Sequence, residues 1–358
     1  MRVKVDEILT GCILARDITG RTGRPIIRSK TVLNENHLEI LKAFLVKEAS
    51  IEKTMINGRL FEPMERIDEE FEDMGNVSSF TQHYLKVVQN YKVLFKSWQA
   101  GASFDVMKVR ELFLPLLERM LKSKSEIFNL HHYSSKEDYL YHHAIASGLI
   151  SGYIAKALHY DDGEIIQIAL AGCLIDCGMA KIPASIIEKN SSLTSSEFEE
   201  IKKHPAYGLK MVQQSTFLRD GVKFAIAQHH ERLDGSGYPV RNKEEKLHPF
   251  SKIVAVADVF HAMTSERVYR KKESPFKVLE MIRQDHFGKF DLAVVQTLLN
   301  GISTYLSGNM VKLSTGSIAK VLFIEQKTPT RPLVQFVNSG EIVNLEQKRQ
   351  WYIDEVLN

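Results

Sequence analysis

The chain has 358 residues, 44% of them hydrophobic and 25% charged, a composition that excludes wholesale disorder and, at roughly 150 residues per domain, leaves room for two or three domains. Its 47 basic side chains against 44 acidic ones give a formal net charge of +3, too balanced for DNA or RNA to be held by bulk electrostatics, so an anionic ligand needs a local cluster. The start MRVKVDEI lacks an apolar core behind its basic residues and no window approaches about 18 uninterrupted apolar residues, so neither a secretory signal nor a membrane span is expected. Cys12, Cys173 and Cys177 form no C-x-x-C pair and fit a reducing cytoplasm better than a disulfide scaffold.

In chain order, residues 1–56 read as a small mixed module. Short apolar runs at Cys12–Ala15 and Pro25–Ile27 flank a turn-rich link, and a helical pattern follows with Leu38, Leu41, Phe44 and Leu45 on one face. Residues 57–81, including ERIDEEFEDMGN, read as an acidic linker. Between 82 and 135 apolar residues recur at helical spacing (Val106, Val109, Leu112, Phe113, Leu116, Leu117, Met120, Leu121), which suits a helical spacer or a homodimer contact. Residues 136–306 read as successive helices with short links. From 307 to 358 the pattern alternates, and Ile318–Ile324 and Leu333–Val337 around Lys327-Thr328-Pro329 predict a β-hairpin. The fold class expected is therefore mainly α, with small β-containing parts at either end.

Chemistry concentrates in the helical part. Asp176, in LIDCGMAKIP, follows the apolar run from Ile165 to Ile175, where a carboxylate must be protonated, paired or bound to a metal. His143, His204, the pair His229-His230 and Asp258 fall around it at intervals of about one helix and one loop. One histidine on an apolar face is ordinarily packing, and His131, His132, His142, His159, His248 and His286 are assigned to the core or surface. The six together resist that reading, because HHERLDGSGYP sets two imidazoles beside a glycine-rich turn. Thr194-Ser195-Ser196-Glu197 is a capping box whose helix is expected to end at His204, with Pro205 marking the boundary. Neutral imidazoles with carboxylates suit iron, manganese or zinc in a site with open positions.

In chain order, IKKHPAYG (201–208), HHERLDGSGYP (229–239) and VADVFHAMTSERVYR (256–270) resemble the HD-GYP family of cyclic di-GMP phosphodiesterases. The resemblance covers about half the chain and implies an all-helical HD-type bundle with a binuclear metal centre of one or two divalent ions, iron or manganese. Carried over by position, it implies that His143, Asp176 and Asp258 hold one metal, and that Asp176 bridges to a second held by His204, His229 and His230. It implies that Arg267 and Arg270 contact substrate phosphates, while Gly235, Gly237, Tyr238 and Pro239 shape the loop that names the family. The chemistry implied is phosphodiester hydrolysis, with Asp176 as the central catalytic residue.

The chain departs from that pattern in one segment. Where the family reads His-Asp-x-Gly-Lys, this sequence holds Ile175-Asp176-Cys177-Gly178-Met179, so a ligating imidazole and an ammonium are lost. A family acid in the VAD segment is His261 here, a candidate replacement ligand, and the glutamate of three-metal members is matched by Tyr139, so a third metal is not expected. Lys181 lies about 200° round a helix from position 179 and does not simply replace the lysine. Two functions are carried forward: a cytoplasmic metal-dependent cyclic di-GMP phosphodiesterase with reduced activity, and a catalytically inactive cyclic di-GMP-binding adaptor that signals through its flanking modules and protein partners.

Overall fold

The structure is a computed structural model that describes residues 1–19, 25–44, 46–63, 80–134, 137–189, 191–266, 272–284 and 288–357. At the N-terminus β1 (Arg2–Lys4), β2 (Ile18–Thr19), β3 (Pro25–Ile27), α1 (Glu35–Ala43) and β4 (Glu48–Ser50) enclose their own apolar cluster, in which Val3, Leu14, Leu33, Leu41 and Ile51 are fully buried. β1 pairs antiparallel with β4, and β2 with β3. Asn34 caps α1 in a capping box with His37. Of the residues expected on the buried face of α1, Leu41 is buried, whereas Phe44 lies past the helix end and is 61% exposed. Leu45 lies outside the described residues, as does most of the acidic linker.

The helical body follows: α2 (Phe80–Gln99), α3 (Val106–Lys122), α4 (Tyr139–Ala157), α5 (Asp162–Leu174), α6 (Ala184–Ile187), α7 (Ser195–Ile201), α8 (His204–Val212), α9 (Asp220–Gln228), α10 (Pro249–Thr264), α11 (Pro275–Gln284) and α12 (Leu292–Leu306). α4 and α5 are apolar or small on all sides, as a helix at the centre of a bundle must be, and α4 is buried from His142 to Ala155. Residues 162–181 are long and apolar enough by length and composition to cross a membrane, with mean hydropathy 1.5, yet 67% of that stretch is buried within the bundle.

The apolar stripe of α3, expected to serve a spacer or a dimer, has a different use. Val109, Phe113, Leu116, Leu117 and Met120 are buried in the same cluster as α4 and α5, so this stripe is spent inside the protein. α2 joins them through Tyr84, Tyr91 and Trp98, and Tyr91 Oη donates to the Cys173 carbonyl of α5 at 3.2 Å.

The C-terminal part is larger than a hairpin. β5 (Met310–Leu313), β6 (Ile318–Phe323), β7 (Leu333–Phe336), β8 (Ile342–Asn344) and β9 (Ile353–Leu357) form an antiparallel sheet in the order β8-β7-β6-β5-β9, with β6 and β7 as the expected pair. Arg331 anchors it to α11: its Nε and Nη2 meet the two carboxylate oxygens of Glu280 at 2.6 and 2.5 Å.

Candidate metal centre

Asp176 sits between α5 and the 3-10 turn Cys177–Lys181. Gly178 in that turn lies so close to α8 that a Cβ there would stand 2.0 Å from the His204 carbonyl oxygen and 2.4 Å from the Gly208 nitrogen. Only glycine permits the approach, which sets Asp176 against the first residue of α8. His204 therefore begins a helix rather than ending one: α7, capped by Thr194 and Glu197 as expected, stops at Ile201, and Pro205 fits the first turn of α8, where no amide hydrogen is needed.

His143 from α4, Asp176, His204 from α8, His229 and His230 at the end of α9, and Asp258 from α10 come together. Asp176 divides its two oxygens between neighbours: Oδ1 lies 3.2 Å from His204 Nε2 and 3.8 Å from His229 Nε2, while Oδ2 lies 3.6 Å from His143 Nε2. Asp258 also faces two ways, with Oδ1 at 3.1 Å from His143 Nε2 and Oδ2 at 3.6 Å from His230 Nδ1. One donor atom each from Asp176, His204, His229 and His230 lies within 4.8 Å of the others, a set that could hold a metal ion.

The proton positions support a cation there. His204 Nδ1 donates to the Ile201 carbonyl at 2.7 Å and His229 Nδ1 donates to the Ile226 carbonyl at 2.9 Å. In neutral rings this leaves a lone pair on each Nε2, and these two atoms face each other at 3.1 Å, beside the Asp176 carboxylate. Two lone pairs and a carboxylate in contact require positive charge, and a proton or a divalent cation supplies it. Anchoring of the remote ring nitrogen on a carbonyl is also how proteins orient imidazole ligands.

The local electrostatics agree. Burial works against the charge of Asp176, but the hydrogen bond with His204 and the imidazoles of His204, His143 and His229 hold it well below the usual carboxylate range. Asp258 is likewise disfavoured by burial and pulled down to about 2 by His143, His229 and Arg232. Burial, then His204, pushes His229 down to about 4; burial also depresses His204, yet the hydrogen bond and charge of Asp176 outweigh it and raise that ring.

The loop over the site is held by Glu231, which the sequence reading passed over. Its buried carboxylate accepts from the backbone N–H of Val240, Arg241 and Asn242 at 2.8, 3.1 and 3.0 Å. Gly237 passes so near that a Cβ would meet the His230 carbonyl at 2.4 Å, and Tyr238 stacks on the His230 ring at 4.6 Å between centroids. The missed signal was an acid directly after the histidine pair, beside a turn whose amides needed an acceptor. Pro239 follows a cis peptide bond, and Gly235 takes a positive φ of 79°.

In the departing segment, Ile175 is fully buried in the core cluster and Met179 packs half-buried against it. Lys181 is exposed and donates to the Trp98 carbonyl at 2.9 Å, so it does not stand in for the lost lysine. His261 is buried, with its Nδ1 3.0 Å from His143 Nδ1 and its Nε2 3.2 Å from Ser265 Oγ. Arg267 and Arg270 lie outside the described residues, as does His286.

Residues 115–294 match the HD domain family, which is half of the chain, and the chain belongs to that family. Within it, the loop from His229 to Pro239 and the curated relatives place the chain with the HD-GYP proteins. A cyclic di-GMP phosphodiesterase of Thermotoga maritima is 36% identical over 185 residues, covering 50% of this chain and 50% of its own length. Another of that description, from Pseudomonas aeruginosa, is 27% identical over 229 residues, covering 64% of this chain and 55% of its own. The chain thus spans about half the length of these relatives. A solved HD-GYP-type structure from Bdellovibrio bacteriovorus shares the fold, with a TM-score of 0.50, 16% identity, and coverage of 83% of this chain and 97% of that one.

Proposed function

We propose that this protein is a metal-dependent phosphodiesterase of the HD-GYP type that hydrolyses cyclic di-GMP to the linear dinucleotide or GMP, at a reduced rate. The observation that carries the reading is the division of Asp176 between two sets of nitrogen donors, Oδ1 towards His204 and His229 and Oδ2 towards His143. That is the disposition a bridging carboxylate needs. In the assignment, His143, Asp176 and Asp258 hold one divalent ion, and Asp176, His204, His229 and His230 hold the second. The donor set suits iron or manganese, and the ions when bound would lower the pKa of a water and offset charge on the phosphoryl oxygens.

The remaining work falls to the chain. The carbonyls of Ile201 and Ile226 fix the tautomers of His204 and His229, so these rings keep their Nε2 lone pairs towards the centre. Glu231 braces the loop that carries Tyr238, which backs the His230 ring. Arg267 and Arg270 are proposed to take the phosphates of the dinucleotide. The three buried free thiols suit a reducing cytoplasm.

One observation favours the second reading, a nucleotide-binding adaptor: Ile175 is sealed in the core and Lys181 is tied to Trp98, so neither restores the lost imidazole or ammonium. The assay that separates the two is incubation of manganese- or iron-loaded protein with cyclic di-GMP, following the linear dinucleotide and GMP. Product that is absent in Asp176→Asn supports the enzyme. Binding without turnover supports the adaptor, and absence of both rejects each.

A further inference from the structure

His143 is gripped by α10 on both of its ring nitrogens. Asp258 Oδ1 meets Nε2 at 3.1 Å, and His261 Nδ1 meets Nδ1 at 3.0 Å. Asp258 and His261 are three residues apart and therefore share a face of α10, which spans the imidazole from side to side. Tyr139, one turn before His143 on α4, stacks on the His143 ring at 5.3 Å with an interplanar angle of 19°.

One arrangement of protons satisfies the His143–His261 and His261–Ser265 contacts and leaves a lone pair on His143 Nε2, which a cation would share with Asp258 Oδ1. His143 carries its proton on Nδ1 and donates it to His261 Nδ1. His261 then carries its own proton on Nε2 and donates it to Ser265 Oγ, 3.2 Å away and fully buried. The reverse arrangement, with His261 donating to His143 Nδ1, would put the His143 proton on Nε2 and close that nitrogen to a metal.

From this geometry, and resting on the two-cation reading above, we propose that His261 is the positioning residue of the Asp176–Asp258 metal site: it accepts the Nδ1 proton of His143 and so fixes the tautomer and orientation in which Nε2 is a ligand. A neutral imidazole is a weaker acceptor than a carboxylate, and the resemblance places an acid at this position. The Nδ1 proton of His143 is accordingly held less firmly by His261 than it would be by a carboxylate. With Ile175 supplying no ligand, the His143 site fills after the one formed by His204, His229 and His230.

The test is a manganese titration of the metal-stripped full chain, comparing the wild type with His261→Leu, His261→Gln and His261→Asp. The wild type is expected to bind in two steps. His261→Leu weakens the weaker step by about 10- to 100-fold, the usual effect of removing the partner of a ligating histidine, and leaves the tighter step unchanged, which also reports that the protein is folded. His261→Gln, whose amide oxygen can accept the same proton, restores most of the loss, and His261→Asp tightens the weaker step beyond wild type. An unchanged weaker step in His261→Leu overturns the proposal, as do parallel losses in both steps or failure of glutamine to rescue. A wild type that binds a single equivalent overturns the two-cation reading itself and the inference with it.

Discussion

On the proposed function, Ile175 and Met179 are the residues on which the rate turns. A preorganised donor to transition-state charge is worth about 100- to 1000-fold in rate, and a Met179→Lys ammonium would supply one, while Ile175→His would return an imidazole to the weaker site. The double variant, loaded with manganese, is expected to hydrolyse cyclic di-GMP about 100-fold faster than wild type in initial-rate assays. An unchanged rate would mean that the segment is not the lesion. Before metal is added the same variant should melt lower, because position 175 is buried and an unpaired imidazole there is costly. Asp176 could be singled out in the sequence because charge is rare in such apolar text. The orientation of His261 could not be read there, since spacing along a helix does not fix which way two rings face.

At the scale of elements, the site depends on how closely the Cys177–Lys181 turn docks on α8. Gly178→Ala places a methyl group against the His204 carbonyl and the Gly208 amide, both backbone and unable to yield locally. The expected cost is about 3 kcal/mol of unfolding free energy, the upper range for overpacking, measurable by urea denaturation. Metal affinity should fall with it, because Asp176 and His204 move apart; a variant with wild-type stability would contradict the close docking. Long helices such as α4 and α10 were legible because their apolar text, short of turn residues, extends over several turns. The start of α8 was misread because Pro205 can end one helix or open the next, and only the packing of Gly178 decides. β5, β8 and β9 were missed because such short strands stand out only beside a turn signal like the Lys327-Thr328-Pro329 that flags β6 and β7.

Over the whole molecule, charge ties the C-terminal sheet both to the helical body and to the N-terminal module. Glu280 of α11 receives both arms of Arg331 and the hydroxyl of Thr330, with the two charged side chains only 13% and 15% exposed. Arg28 reaches from the N-terminal module to Glu355 of β9 at 3.2 Å. Glu280→Ala leaves Arg331 without its carboxylate, although the carbonyls of Arg349 and Trp351 still accept from it. A loss of about 2 kcal/mol is expected, appearing as faster proteolysis of the segment after Gly308; unchanged proteolysis would mean that the sheet is held by apolar contacts alone. The overall class was readable because the five segments that carry the proposed ligands occur in one order, whereas the five-stranded sheet depends on pairings between distant segments.

The bridging role of Asp176 is tested most directly by anomalous diffraction from crystals of the full chain soaked in manganese. Two peaks are predicted, one near Asp176 Oδ1 among His204, His229 and His230, the other near Oδ2 between His143 and Asp258. No peak at Asp176, or a single peak bonded to one of its oxygens at saturating manganese, would contradict the account.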